Sequence, residues 1–133
     1  MKETDLYAMM RRYLPGTGTR IENSISSGIF DVYWAANGCG SWVENKIQHG
    51  NRIRVRGTQM VWGLSQLGQG MANLFFLVIR DEVDVPRLYP ALGIFQLCDL
   101  NVTDGEGHML VSLKGQAPIA KGWMPITTVL MGA

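Results

Sequence analysis

The chain has 133 residues and a mass of 14.8 kDa, which is the size of a single domain. Hydrophobic residues make up 47% and charged residues 17% of it, a composition that excludes a disordered or low-complexity protein. The net charge of +1 does not by itself indicate a nucleic-acid partner, so the distribution of charge along the chain has to be considered.

The sequence shows no pattern of a secretory leader at its start or of a membrane span. The start has no basic stretch followed by an apolar one, and no segment reaches the ~18 apolar residues of a membrane span. We therefore expect a cytoplasmic protein, in the host cytoplasm if a phage encodes it. Cys39 and Cys98 lie far apart without a CxxC motif, which favours free thiols over a zinc site or a disulfide framework.

The first predicted element is an amphipathic helix. Apolar residues recur at helical spacing over positions 6–14, Thr4 is the candidate N-cap, and Pro15 ends the pattern. Arg11 and Arg12 lie on the polar face. Positions 16–28 are rich in Gly, Ser and Asn and are predicted to be weakly structured. Gly16 and Gly18 are expected to form a flexible arm over DNA.

A β-hairpin and a helix are predicted next. The two strands of the hairpin are residues 29–35 and 41–47, joined by a turn at 37–40. A basic loop leads to a helix with Thr58 as its candidate N-cap, and Gly68 and Gly70 end it. The apolar run 72–79 then suits a strand covered on both faces, so the order is α-β-β-α-β.

The pattern is weaker after Arg80. Positions 88–97 are apolar but ambiguous, and 109–113 and 126–131 are predicted as two strands or as one strand and one helix. We expect one domain over residues 1–133, in which 83–133 complete the fold or form dimer or DNA contacts.

The charges are unevenly placed. Between Tyr7 and Arg80 the acids are Glu22, Asp31 and Glu44 alone, against eight basic residues. A positive cluster falls within eleven residues without any acid: Lys46, His49, Arg52, Arg54 and Arg56. Such a field suits a phosphate backbone, although a solvated surface loop is the alternative.

Two of the three acids have the spacing of a metal site. Glu44 and Lys46 are two residues apart in a predicted strand, so their side chains point to one face. Asp31 is close to the position that faces Glu44 across the hairpin. Two carboxylates can share Mg²⁺, with Glu22 as the natural third acid.

This group of residues has a chemical and a structural interpretation. A metal polarises a phosphoryl oxygen and acidifies an attacking water, while the Lys46 ammonium orients the nucleophile or stabilises the transition-state charge. The alternative for Glu44 and Lys46 is an exposed salt bridge worth roughly 0–1 kcal/mol.

Four segments together resemble the PD-(D/E)xK nuclease superfamily. They are Arg20-Ile21-Glu22-Asn23, Gly28-Ile29-Phe30-Asp31-Val32-Tyr33, Trp42-Val43-Glu44-Asn45-Lys46 and Arg56-x-x-Gln59-x-x-Trp62-Gly63. Within the superfamily the chain is similar to phage-borne and archaeal Holliday junction resolvase-like enzymes and to virus-type replication-repair nuclease (VRR-NUC) domains. The resemblance covers about residues 20–80.

The resemblance implies an α/β fold with a restriction-endonuclease-like core, in which helices flank a mixed central sheet. It implies metal ligation by Asp31, Glu44 and Glu22, a catalytic Lys46, and Gln59 as a polar helix residue beside the site. The chain departs from the family pattern in having Phe30 in place of the proline and Asn45 in place of an apolar residue.

Our hypothesis from sequence is an endodeoxyribonuclease that requires Mg²⁺, or Mn²⁺ as a substitute, and cleaves branched DNA as a homodimer, with resolution of Holliday junctions as the favoured activity. The residues expected to contact DNA are Arg11, Arg12, Arg20, His49, Arg52, Arg54 and Arg56. Two alternatives stay open: a flap, nick or double-strand nuclease of the same fold, and a non-catalytic DNA-binding module.

Overall fold

The computed structural model describes residues 1–21 and 27–132 as an α/β protein. In chain order the elements are α1 (Glu3–Tyr13), β1 (Thr17–Arg20), β2 (Val32–Ala36), β3 (Cys39–Ile47), β4 (Arg52–Arg56), α2 (Gly57–Gly68), β5 (Leu74–Ile79), β6 (Arg87–Pro90), α3 (Ala91–Leu97), β7 (His108–Ser112), β8 (Ala120–Lys121) and α4 (Trp123–Leu130). None of the helices in these ranges has the length and apolar character needed to cross a membrane.

A mixed sheet forms the centre of the molecule. Within the described residues its strand order is β1-β2-β3-β5-β6-β8, with β3 and β5 parallel and the other neighbours antiparallel. The connection from β3 to β5 passes through β4 and α2, which gives the parallel pair its helical crossover. Strands β4 and β7 pair separately as an antiparallel ribbon.

Both faces of this sheet are covered. On one face α1 and α4 bury Leu6, Met10, Ile126 and Leu130 against it. On the other face α2, α3 and the ribbon enclose an aromatic cluster around Phe30. Every residue of β5 is buried, which confirms the strand predicted from the continuous apolar run. The predicted α/β arrangement, in which helices flank a mixed central sheet, is therefore the observed one.

The predicted hairpin is present with shifted ends. Strand β2 begins at Val32 rather than at position 29, because Phe30 turns into the core against Phe76. The turn is the pair Asn37-Gly38, both with positive φ, of 52° and 73°. Two such residues are what the tightest hairpin turns require, so β3 begins at Cys39, earlier than predicted.

The predicted flexible arm at Gly16 and Gly18 is instead the end of the sheet. Strand β1 pairs with β2, and a side chain at Gly18 would lie 2.6 Å from the ring of Trp34. The indole of Trp34 also donates a hydrogen bond to the Pro15 carbonyl at 3.0 Å. These glycines therefore allow close packing against a buried tryptophan, a role that composition cannot distinguish from flexibility.

The basic segment 52–56 is a strand and not the predicted loop. Ile53 and Val55 are buried while the arginines between them point outward, which is the period-two alternation of a half-buried strand. The strand forms because it pairs with β7, more than fifty residues later in the chain. Of the two C-terminal segments, the first is strand β7 and the second is helix α4.

Neither predicted threonine cap begins its helix. Helix α1 begins at Glu3, where the Asp5 carboxylate accepts a hydrogen bond from the Lys2 backbone N–H at 2.7 Å. Helix α2 begins at Gly57, where the Gln59 side chain accepts from the Arg56 backbone N–H at 3.1 Å. In both helices a side chain of the first turn reaches back to the preceding residue.

Candidate active site

Strand β3 places Glu44 and Lys46 side by side inside the protein. They alternate with Val43 and Asn45, so they project toward the α2 side of the sheet. Glu44 is 3% and Lys46 4% exposed, and the Lys46 Nζ lies 3.6 Å from the Glu44 Oε2. The alternative of an exposed surface salt bridge is therefore wrong for this pair.

Asp31 lies opposite Glu44, as the hairpin register predicts. The pairing of Val32 with Val43 extends by one residue to this position, and the Asp31 backbone N–H donates to the Glu44 Oε1 at 2.9 Å. The Arg20 Nε lies 3.9 Å from the Asp31 Oδ2, and the Arg20 guanidinium also lies over the ring of Tyr7 at 5.8 Å. Strand β1 thus brings a cation to the edge of the paired carboxylates.

Gln59, in the first turn of helix α2, contacts Lys46 next to the carboxylate pair. Its side chain is 7% exposed, and its Oε1 accepts hydrogen bonds from the Lys46 Nζ at 3.0 Å and from the Arg56 backbone N–H. The same amide therefore caps the helix and fixes the lysine. A glutamine in a first turn is ordinarily solvated, but this one lies in the site.

A cavity of about 630 Å³ opens over these side chains. Its charged lining residues come from the start of helix α1 and from strands β1, β3 and β4 with the segment before β2: Lys2, Glu3, Arg20, Asp31, Glu44, Lys46, Arg54 and Arg56. His49, Gln59 and His108 line it too. Cations outnumber acids around the opening, so the cavity combines a carboxylate centre with a positive rim.

Burial changes the acidity of both carboxylates. Desolvation raises the pKa of Glu44 to about 7, against the opposing effects of the Lys46 charge and the Asp31 amide. The negative charge of Glu3 contributes to the same rise. The pKa of Asp31 is also raised by burial, although Arg20 and Lys46 lower it. A cation bound between these groups would offset the desolvation of both.

The donor set at this position fits a hard divalent cation. Asp31 and Glu44 supply carboxylate oxygens, the ligands that Mg²⁺ prefers. Within residues 1–21 and 27–132 no three His, Cys, Asp or Glu side chains lie close enough together to hold a metal. Two carboxylates are nevertheless sufficient for Mg²⁺, which keeps several waters and takes further oxygens from a bound phosphate. The predicted third acid, Glu22, lies outside the described residues.

Of the basic residues predicted to contact DNA, five lie at or beside the cavity and two lie away from it. Arg20, His49, Arg54 and Arg56 line the cavity, and Arg52 continues the exposed face of β4. Arg11 and Arg12 do not belong to this group, because they end helix α1 while Lys2 and Glu3 at its start line the cavity. The rise of an α-helix separates the two ends by roughly 12 Å.

Glu3 and His108, which line the cavity, had no role in the sequence prediction. Glu3 has the position of an ordinary first-turn acid, and only the packing of α1 brings it to the site. His108 opens β7 and pairs with Arg56 across the ribbon. It contacts Asp104, four residues earlier in the chain. Nothing in the sequence indicates that these two side chains are in contact.

The fold has a counterpart among solved structures. No protein-family model matches the sequence, and no curated protein sequence matches it. Among solved structures, the chain is similar to Hjc of Archaeoglobus fulgidus, a Holliday junction resolvase from an archaeal hyperthermophile, with a TM-score of 0.60. The identity is 12%, and the match covers 96% of this chain and 95% of the other. The likeness thus extends over nearly the whole length of both proteins and defines the fold.

Proposed function

We propose that the protein is a divalent-metal-dependent endodeoxyribonuclease that acts on branched DNA. The observation that supports this proposal best is the convergence of Asp31, Glu44 and Lys46 in one cavity with a positive rim. Buried charges are costly to a fold, and a buried group of this composition in a cleft is typical of an active site. The similarity to a resolvase fold adds the substrate class to the proposal.

The proposed reaction is hydrolysis of a phosphodiester bond by water. Lys46 places a positive charge beside the position of the phosphoryl group, where it stabilises the negative charge that grows on the phosphoryl oxygens. Gln59 holds the ammonium by one hydrogen bond, and the Glu44 Oε2 lies 3.6 Å from it. The remaining ammonium protons can then donate to the attacking water or to a phosphoryl oxygen.

Asp31 and Glu44 are the residues that would hold Mg²⁺ or Mn²⁺. When bound, the metal polarises the phosphoryl oxygen and lowers the pKa of the attacking water. The Asp31 amide orients the Glu44 carboxylate through its Oε1, so the two acids are fixed relative to each other before any ligand binds. Glu3 and Glu22 are the two candidates for a further oxygen ligand, Glu3 because it lines the cavity and Glu22 because of its place in the motif.

The ribbon of β4 and β7 is the proposed DNA platform. Arg52, Arg54 and Arg56 lie on its outer face, and the last two also line the cavity. Contacts of this kind bind phosphates and fix the register of a duplex without reading its sequence. Branched DNA has two related strands to cut, so we further propose that two copies of the chain act together as a homodimer.

The test is a cleavage assay on a four-way junction, a flap, a linear duplex and a single strand, with Mg²⁺, Mn²⁺ or EDTA. We expect metal-dependent cutting of the junction by the native chain. Lys46→Gln should reduce the rate about a hundredfold or more while changing DNA affinity much less. Lys121→Gln is the matched control, because it removes an exposed lysine from β8 at the far edge of the sheet.

The substrate pattern separates the alternatives. Symmetric nicks near the crossover support a resolvase, whereas preferred cutting of the flap or the duplex supports a different nuclease of the same fold. Binding without cutting would identify a non-catalytic module, and cutting that survives EDTA or Lys46→Gln would contradict the mechanism. Sedimentation of the free and junction-bound protein tests the proposed homodimer.

A further inference from the structure

One acidic side chain lies within the basic face of the ribbon. Asp104 begins the short loop 104–107 before β7, and its carboxylate contacts the side chains of His108 and Arg54. The Oδ2 lies 2.9 Å from the His108 Nδ1 and 4.0 Å from the Arg54 Nε. An acid on a surface that binds phosphates repels DNA, so its position there calls for a compensating role.

The backbone of the loop holds this carboxylate in one orientation. The Asp104 Oδ1 accepts hydrogen bonds from the Glu106 N–H at 2.8 Å and from the His108 N–H at 3.2 Å. The first of these amides contributes most to lowering the pKa of Asp104 below its ordinary value. The other oxygen is left to face the His108 ring and the Arg54 guanidinium.

His108 and Arg54 share the outer face of the ribbon. His108 is paired with Arg56 and Arg54 with Leu110, while the residues between them are buried. His108 lines the cavity together with Lys46 and Gln59, and Gln59 is bonded to the Arg56 backbone. The His108 ring therefore lies at the end of the ribbon next to the proposed catalytic lysine.

The contact with Asp104 also selects which ring nitrogen faces a ligand. With Nδ1 directed to the carboxylate, the nitrogen left to meet a phosphate is Nε2, which has no hydrogen-bond partner in the described part of the chain. Nδ1 can donate to the carboxylate, and in the doubly protonated ring Nε2 is a donor as well. Glu106 from the same loop and Arg54 and Arg56 from β4 are the other charged groups around it.

We propose that His108 and Arg54 form a phosphate clamp beside the active cavity, and that Asp104 is the residue that positions both of them. The clamp binds a backbone phosphate of the DNA next to the one that is cleaved and so sets the register of the strand. This inference rests on the proposed nuclease function, since it names a substrate contact of the same site.

For the removal of Asp104, the clamp predicts the opposite change in DNA affinity from the one that charge balance alone predicts. Removing a negative charge from a DNA-binding face ordinarily strengthens binding, because a repulsive charge is lost. Asp104→Asn should instead weaken binding, by about three- to tenfold, because the ring and the guanidinium lose their fixed orientation. Glu106→Gln is the matched control: it removes a carboxylate two residues away whose side chain is exposed.

The experiment measures binding of a labelled four-way junction, with Ca²⁺ in place of Mg²⁺, at a fixed pH of about 6. We expect His108→Gln to weaken binding about tenfold and to reduce the slope of log affinity against log salt by about 0.9. Asp104→Asn should reduce the affinity less in the His108→Gln background than in the native chain, because the two residues act through one contact. Steady-state cleavage should show a raised KM with kcat changed far less.

The outcomes separate the clamp from the nuclease function. If the native chain binds and cuts the junction while Asp104→Asn binds as tightly as Glu106→Gln, the clamp is wrong and the nuclease proposal stands. An unchanged salt slope in His108→Gln also overturns the clamp. If the native chain binds no DNA in low salt, both proposals fail. A thermal unfolding midpoint for each variant shows whether it is folded, and an unfolded Asp104→Asn leaves the decision to His108→Gln.

Discussion

Glu44 connects the proposed chemistry to the stability of the fold. Its carboxylate is 3% exposed, and burial raises its pKa from the ordinary 4.5 to about 7. Between these two values the folded protein holds a proton that the unfolded chain has already released. The stability contributed by Glu44 is therefore fully present below about pH 4.5 and is lost as the pH rises through about 7.

The size of this loss follows from the shift. Each pKa unit corresponds to about 1.4 kcal/mol, so the free energy of unfolding should fall by about 2 to 3 kcal/mol between pH 5 and pH 8 on account of Glu44. Glu44→Gln removes the titrating group and keeps its shape. The difference in unfolding free energy between the native chain and this variant should change by that amount over the same range.

Urea denaturation in EDTA at several pH values between 5 and 8 measures both profiles. Glu106→Gln removes an exposed carboxylate and should leave the native profile unchanged. Mg²⁺ added at pH 8 should stabilise the native chain, by about 2.7 kcal/mol at a hundred times its dissociation constant, and should have much less effect on Glu44→Gln. Parallel profiles for the native chain and Glu44→Gln would refute the assignment of a buried, proton-holding carboxylate at this position.

Two further substitutions test the packing around the site. Both amide atoms of the Asn45 side chain are buried and find no hydrogen-bond partner in the described residues, so Asn45→Leu should raise the free energy of unfolding by about 1–3 kcal/mol and leave cleavage unchanged. Lower stability in urea would contradict this. A methyl group at Gly63 would overlap the Phe95 ring, so Gly63→Ala should cost about 1–3 kcal/mol, whereas Gly68→Ala in open space at the end of the same helix should gain up to about 1 kcal/mol. Equal effects of the two alanines in thermal unfolding would show that the ring moves aside.

The sequence alone was sufficient for the hairpin and its charged residues. The alternation in β3 places Glu44 and Lys46 on one face, and the turn Asn37-Gly38 sets the register that brings Asp31 opposite. These are local properties, because a two-residue period and a two-residue turn act over a dozen positions. The same reasoning identifies β5, whose apolar run is long enough to require cover on both sides.

What the local pattern cannot contain is the identity of a distant partner. The alternation of Arg52, Arg54 and Arg56 with Ile53 and Val55 was visible, but a basic segment becomes a strand only when β7 pairs with it. In the same way Gly18 indicates flexibility until Trp34 is packed against it. Long-range pairing is selected by the burial of the whole core, which no window of the sequence reports.

The carboxylate pair and its lysine were thus determined by the sequence, whereas their environment was decided by the tertiary structure. Burial raises the pKa of Glu44. The packing of α2 makes Gln59 a hydrogen-bond acceptor for Lys46, and the packing of α1 brings Glu3 to the cavity. Each of these effects depends on desolvation and on contacts between elements far apart in the chain. The spacing of charged residues therefore identifies a candidate site, and only the surrounding fold makes it a cavity with buried carboxylates of raised pKa.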